Sequence, residues 1–327
     1  MGAQAGGCQE RCCRADEASK EFSSPLKTVD VASAIGERLP PAAPAAQSSA
    51  SAADGAKAKR SVPDPGSCYF DRDVFELEGL QGKYEDNVVE KRDTYLFSSG
   101  ATYTGQWKGH ERHGFGVQRW PDGAEYKGEW VHNKAEGRGR FQHSDGDTYT
   151  GQWVQNVAEG KGAYVHKDSA SHYGDWKKDL QNGYGCECWA DGSKFGGVYS
   201  DGQKEGPGVY VWADGSSYKG QWGQNAINGL GHYSGSDGRS FQGMWRGSVI
   251  HGYGKYRWKD GRTYAGHYDL DKKHGYGEFL WTDGQKYQGF WKQGKQHGHG
   301  VQWKADGSKR HVVWIDGVRK PDAGSEK

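Results

Sequence analysis

An aromatic-x-Gly-x-aromatic unit returns every 23 residues along most of this chain. It reads Tyr103/Gly105/Trp107, Tyr126/Gly128/Trp130 and Tyr149/Gly151/Trp153, then His172/Gly174/Trp176, Phe195/Gly197/Tyr199 and Tyr218/Gly220/Trp222. Phe241/Gly243/Trp245, Tyr264/Gly266/Tyr268 and Tyr287/Gly289/Trp291 complete the series. A fixed period of this length means one supersecondary unit stacked on copies of itself, not a globular enzyme core.

A second signal lies between these units. Two glycines flank one residue at Gly114/Gly116, and the pair recurs at the same period as far as Gly298/Gly300. An Asp-Gly pair closes nearly every unit, from Asp122-Gly123 to Asp306-Gly307, and Asp168-Ser169 departs from it. Asp-Gly between alternating apolar runs is a strong hairpin signal, because it supplies positive φ readily. The aromatic, glycine and aromatic positions are two apart, so they share one face of a strand, and Thr, Lys, Gln and Glu occupy the other. The middle glycine has two readings. It opens a gap into which a neighbouring ring can lie, or it merely tolerates twist or a bulge.

The expected fold is all-β: an elongated, single-layer antiparallel meander of hairpin repeats, without substantial helix over 103–309. Two strands per unit over nine units span roughly 85 Å. Only 34% of the residues are hydrophobic, which suits one ring-covered face better than a thick core. Residues 1–66 are rich in Ala, Ser and Pro and read as a disordered tether, with a short amphipathic helix suggested over 28–39. Stepping back one period from Tyr103 gives Leu80-Gln-Gly82-Lys-Tyr84, a degenerate copy, so 67–102 reads as an N-terminal cap. Stepping forward from Tyr287 gives Arg310, Val312 and Trp314, where the glycine is lost, so 310–327 reads as a C-terminal cap and polar tail.

The pattern Tyr-x-Gly-x-Trp, His-Gly-x-Gly and Asp-Gly on a 23-residue period resembles the MORN repeat (membrane occupation and recognition nexus). The resemblance covers about two-thirds of the chain. His172 at a Tyr position, Ser169 at the turn, and Tyr199 and Tyr268 at Trp positions depart from the pattern. The resemblance implies a hairpin array used for protein or membrane association, often as a dimer, and it implies no catalysis by the repeats. The stripe Tyr103, Trp107, Tyr126, Trp130, Tyr149, Trp153, Trp176, Tyr218, Trp222, Trp245, Tyr264, Tyr287 and Trp291 is then either structural or partner-binding.

The N-terminus adds a second signal. Gly2 after a removable Met is the acceptor position for myristoylation, and Cys8, Cys12 and Cys13 stand where palmitoylation commonly occurs. Gly6 occupies the place where that motif has Ser or Thr. One myristoyl chain binds bilayers with K of only roughly 10⁴ M⁻¹, so stable anchoring needs a second chain. Eight basic and eight acidic residues in 1–66 cancel, so acyl chains and not charge would supply the anchor.

Other functions are disfavoured. Forty-three basic against 42 acidic residues argue against nucleic acid as a partner. No apolar run is long enough to span a membrane as a helix. The six cysteines do not form a disulfide framework and fit a reducing compartment. Cys186 and Cys188 lack the spacing and second ligand pair of a zinc site and read as small buried residues, so no metal is expected. The histidines of the His-Gly turns share their slot with Asn and Glu, which marks a turn role. Gly-x-Gly never opens a helix after a buried strand, so no nucleotide cofactor is expected. No nucleophile–base pair stands out.

Three functions remain in view. The first is a non-enzymatic scaffold held at a membrane or cortical cytoskeleton by acyl chains, phospholipid being a second contact. The second is an axonemal structural subunit like a radial-spoke head component. The third is a regulatory subunit acting in trans on a phosphatidylinositol-phosphate kinase. Expected partners are a membrane, cytoskeletal or membrane-associated proteins, and a second copy of the chain.

Overall fold

The computed structural model describes residues 69–85 and 88–321. No residue between 103 and 309 is helical, and the described chain is built almost wholly of antiparallel strands. It divides into two compact units at Gln203/Lys204.

The first unit opens with a 3₁₀ turn (Tyr69–Asp71) and one short helix, α1 (Val74–Glu78). Its strands are β1 (Val89–Lys91), β2 (Tyr95–Leu96), β3 (Thr102–Lys108), β4 (Glu111–Arg119), β5 (Glu125–Val131) and β6 (Lys134–Gln142). They continue as β7 (Thr148–Val154), β8 (Val157–Val165), β9 (Ser171–Lys177), β10 (Leu180–Cys188) and β11 (Lys194–Ser200). From β3 to β11 each strand pairs antiparallel with the next. The second unit begins inside β12 (Gln203–Val211). It runs through β13 (Ser217–Gly223), β14 (Ala226–Ser234), β15 (Ser240–Arg246), β16 (Val249–Arg257) and β17 (Thr263–Asp269). It ends with β18 (Lys272–Leu280), β19 (Lys286–Lys292), β20 (Lys295–Trp303), β21 (Lys309–Ile315) and β22 (Val318–Arg319). The same consecutive pairing holds throughout.

Two kinds of turn alternate. From the second repeat on, the turn that follows the Trp position is a two-residue connection with positive φ, as at His132-Asn133 (48° and 66°) and Gln155-Asn156 (51° and 71°). That is the backbone of a type I′ hairpin, whose twist matches the strands. The Asp-Gly turn has a different form. Gly123 N–H donates to the Trp120 carbonyl and Trp120 N–H to the Ala124 carbonyl, with Gly123 at φ 91°. This is a longer loop ending in a left-handed glycine bulge, and Asp122 Oδ1 accepts the Ala124 N–H at 3.1 Å. Ser169, the single departure noted in the sequence, holds φ 76° where its equivalents are glycine.

The N-terminal segment differs from a degenerate repeat. Leu80–Tyr84 is turn and bend, although Ser99-Gly100 does make the expected turn, with Gly100 N–H on the Phe97 carbonyl. The reason is burial: Phe70 and Leu77 are sealed into the aromatic core ahead of β1, so this stretch serves as a plug and not as another hairpin. At the other end, β21 carries Val312 in the glycine slot, opposite Gly300. Arg310 stands at the ring position of that unit, so no tyrosine lies over the strand and a side chain fits.

Candidate functional site

The repeat signature makes a ring ladder on one face of each unit's sheet. Tyr103 meets Trp107 edge-to-face at 5.0 Å and Trp130 of the next repeat at 5.6 Å. Tyr126 does the same with Trp130 (5.0 Å) and Trp153 (5.4 Å), and Tyr149 with Trp153 (5.1 Å) and Trp176 (5.2 Å). His172 substitutes without breaking the ladder, 5.4 Å from Trp176 and 4.9 Å from Tyr199. In the second unit Tyr218 links Trp222 and Trp245, Tyr264 links Tyr268 and Trp291, and Tyr287 links Trp291 and Trp314. Each such pair adds about 0.5–1.5 kcal/mol beyond area burial.

Both readings of the middle glycine hold. Each ring lies across two facing glycines: a Cβ on Gly139 would sit 2.5 Å from Tyr126 Cε2 and 2.6 Å from Cζ, and one on Gly128 would meet Gly139 Cα at 2.5 Å. The ring comes from the glycine's own repeat. A register shift also falls just after the middle glycine, as between Gly128 and Glu129. The phenol is satisfied by the bulged backbone, Tyr103 donating to the Gln106 carbonyl (2.8 Å) and Tyr218 to the Gln221 carbonyl (3.0 Å). Trp153 and Trp176 indoles donate to the Gly139 and Gly162 carbonyls. Burial pushes the phenols of Tyr103, Tyr126, Tyr149, Tyr218, Tyr264 and Tyr287 well above their ordinary pKa, so they stay neutral donors.

No residue of the predicted stripe is more than 5% exposed. The geometry therefore favours the structural of its two readings. Gly2, Cys8, Cys12 and Cys13 lie outside the described residues, as does the suggested helix over 28–39. Cys186 and Cys188 are buried on one face of β10. Cys188 is disulfide-bonded, which the sequence reading of the two as a pair of small buried residues did not include. Among the described residues no cluster of His, Cys, Asp and Glu is arranged to hold a metal ion.

Several architectural residues escaped the sequence reading. Phe70 packs edge-on against Trp120, Tyr126, Trp130 and Trp153, closing the ring face of the first repeats. The buried Arg112 guanidinium pins this plug, donating to the carbonyls of Phe70 and Asn133 at 3.0 Å each and stacking 4.4 Å from Trp130. A second aromatic column, including Trp120, Phe141, Tyr164, Tyr233, Tyr256 and Phe279, is buried beside the first. Phe141, Tyr164, Tyr233, Tyr256 and Phe279 keep the 23-residue period among themselves, and Trp120 keeps it with the half-buried Trp189, Trp212, Trp258 and Trp281.

Where the second residue of the I′ turn is Asn or Asp, its side chain reaches back to the preceding hairpin. Asn133, Asn156, Asp179 and Asp271 each accept one backbone N–H at 2.7 Å, from Arg112, Ala135, Ala158 and Ile250. Burial pushes the Asp179 carboxyl up to about 6, against the Ala158 N–H that lowers it and with the Glu159 charge that raises it further. Asp271 is raised by burial as well.

The opposite face is the accessible one. In the second unit it carries apolar cross-strand pairs, Leu230 opposite Met244 and Tyr276 opposite Phe290, all more than a third exposed. In the first unit it carries charge, including Lys127 opposite Arg140. No helix among the described residues is long and apolar enough to cross a membrane.

The MORN-repeat family model matches nine segments of the chain: 103–125, 126–148, 149–170, 172–194, 197–217, 218–238, 241–261, 264–286 and 287–309. No curated protein matches. Among solved structures, the TCP10 domain of Danio rerio CPAP is similar at 9% identity and a TM-score of 0.35, over 68% of this chain and 99% of that one. The SAS-4 (dCPAP) TCP domain of Drosophila melanogaster is similar at 13% identity and a TM-score of 0.31, over 55% and 90%. The family match spans more than half of the chain and coincides with the ring ladder, the facing glycines and the Asp-Gly turns. The chain belongs to the MORN-repeat family.

Proposed function

We propose that the chain is a non-enzymatic MORN scaffold, held at a membrane by acyl groups on Gly2 and on Cys8, Cys12 or Cys13, that gathers proteins at the membrane or the cortical cytoskeleton beneath it. The observation that carries the scaffold half is the allocation of side chains. The rings and glycines are spent on the ladder, and the remaining described surface is a periodic display of exposed residues. The acceptor glycine followed by three cysteines carries the tether half. Flexible chains of about fifty residues span about 40 Å r.m.s., a length that would hold the repeats clear of a bilayer while anchored.

Membrane fractionation tests this in cells that acylate the chain. The wild type partitions with membranes, and Gly2→Ala releases it. The triple change Cys8→Ser, Cys12→Ser and Cys13→Ser releases it too, because a single myristoyl chain is a marginal anchor. Retention of both variants on membranes would overturn the tether.

A further inference from the structure

The accessible face of the first unit holds a shallow open cavity of about 560 Å³ over strands β4 to β8. Its floor is the facing pair Gly139 and Gly151. Around it stand Lys127, Arg138, Arg140 and Lys161, with the Thr150 hydroxyl between them and Phe115, half exposed, at one end.

This clustering is not a by-product of a basic chain, whose net charge is only +1. Lys127 and Arg140 are direct cross-strand partners, an arrangement of like charges that destabilises a sheet. Arg138 lies two residues from Arg140 on the same strand face. Among the described residues, no carboxylate makes an ion pair with Lys127, Arg138 or Arg140. Of the neighbouring acids, Glu129 accepts the backbone N–H of Arg138 and Asp175 pairs with Lys161 at 2.6 Å, so Lys161 at the rim is neutralised and Lys127, Arg138 and Arg140 are not. The side chains therefore hold a local excess of positive charge that the protein does not neutralise itself.

We infer that this cleft binds an acidic peptide segment of a partner protein, its carboxylates paired with Lys127, Arg138 and Arg140 and an apolar side chain set against Phe115. The charges favour a peptide over a compact phosphate. The cleft runs across four neighbouring strands, about 14 Å from Lys127 on β5 to Lys161 on β8, with the cations that make no ion pair, Lys127, Arg138 and Arg140, side by side at its β5–β6 end. The floor backbone is committed to ladder pairing at Gly139–Gly151 and Gly151–Gly162, so no nest of N–H groups grips an anion. Arginine forks pair with carboxylates in a defined plane, which adds orientation to charge. The inference goes beyond the acyl tether and does not depend on it.

The test uses full-length protein made without acylation and a fluorescein-labelled peptide of alternating Glu and Ser with a terminal Leu, followed by fluorescence anisotropy. The peptide binds, its Gln-for-Glu counterpart does not, and affinity falls as salt rises. Arg138→Glu with Arg140→Glu weakens binding at least about tenfold, and the milder Arg138→Gln with Arg140→Gln weakens it by a smaller factor, both with unchanged far-ultraviolet circular dichroism. The charge-matched pair Lys304→Glu and Lys309→Glu leaves binding as it was. The inference is overturned if that control pair loses as much, if the Gln peptide binds equally, or if vesicles carrying a phosphoinositide are held through Arg138 and Arg140 while the acidic peptide is not.

Discussion

Gly139→Ala isolates the physical reason for the facing glycines. Gly139 has an ordinary strand φ, so the change introduces no torsional strain and the effect is steric. The new methyl would sit 2.5 Å from Tyr126 Cε2, and non-bonded carbons settle at about 3.5–4.0 Å, so the ring must move by about 1 Å. It has nowhere to go. Trp130 and Trp153 flank it at 5.0 and 5.4 Å, and its hydroxyl is tied to the Glu129 carbonyl at 3.1 Å. Overpacking costs about 1–3 kcal/mol and a strained buried hydrogen bond about 1 more. Alanine's less flexible unfolded chain returns about 0.5–1, for a net loss of about 1–3.5 kcal/mol. Urea denaturation followed by tryptophan fluorescence measures it. The decisive arm is a double-mutant cycle: with Tyr126→Leu in place, Gly139→Ala should cost less than about 0.5 kcal/mol. Additive losses would refute the ring-over-glycine account and leave glycine as a residue of twist alone.

Other outcomes follow from the same geometry. Asp179 has its folded pKa raised to about 6, so the folded state holds a proton that the unfolded chain releases near pH 4; its contribution is fullest below pH 4 and is lost as pH rises through about 6. Asp179→Asn, which installs the side chain already used at Asn133 and Asn156, should stabilise at pH 7.5 by about 1–2 kcal/mol and flatten that dependence in thermal melts; an unchanged pH profile would show that the carboxyl is not desolvated. Ser169→Gly should raise stability by about 0.5–1 kcal/mol in urea melts, since it relieves the left-handed serine at φ 76°. A loss would mean that the serine side chain matters more than its backbone. Trp222→Ala should destabilise by about 3–5 kcal/mol because the ring is only 4% exposed, and a loss below about 1 kcal/mol would contradict its burial.

What was legible in the sequence is what recurs. Tyr126, Gly128 and Trp130 announce a strand face because each returns at the same spacing, and a period of two within the unit leaves no room for a helix. The Asp-Gly turn was recognised but not its type, because Asp and Gly serve both the two-residue turn and the longer loop with a glycine bulge. Phe70 was invisible for the opposite reason: it occurs once, in a segment with no period, and gains its role only by folding onto rings up to 83 residues away. Arg112 carried no signal of its own, because Phe70 and Trp130 are brought around it only by the fold. The basic cleft was hidden because Lys127 and Arg140 are 13 residues apart and become neighbours only through the register of one hairpin.

Anchoring of the MORN scaffold by acyl chains is read out by mass spectrometry of the N-terminal peptide from protein purified out of its native cells. The account predicts a myristoyl group on the amine of Gly2 and a thioester-linked acyl chain, removable by hydroxylamine, on Cys8, Cys12 or Cys13. An N-terminal peptide carrying neither modification, from protein that nonetheless sediments with membranes, would contradict it and move the membrane contact onto the repeats themselves.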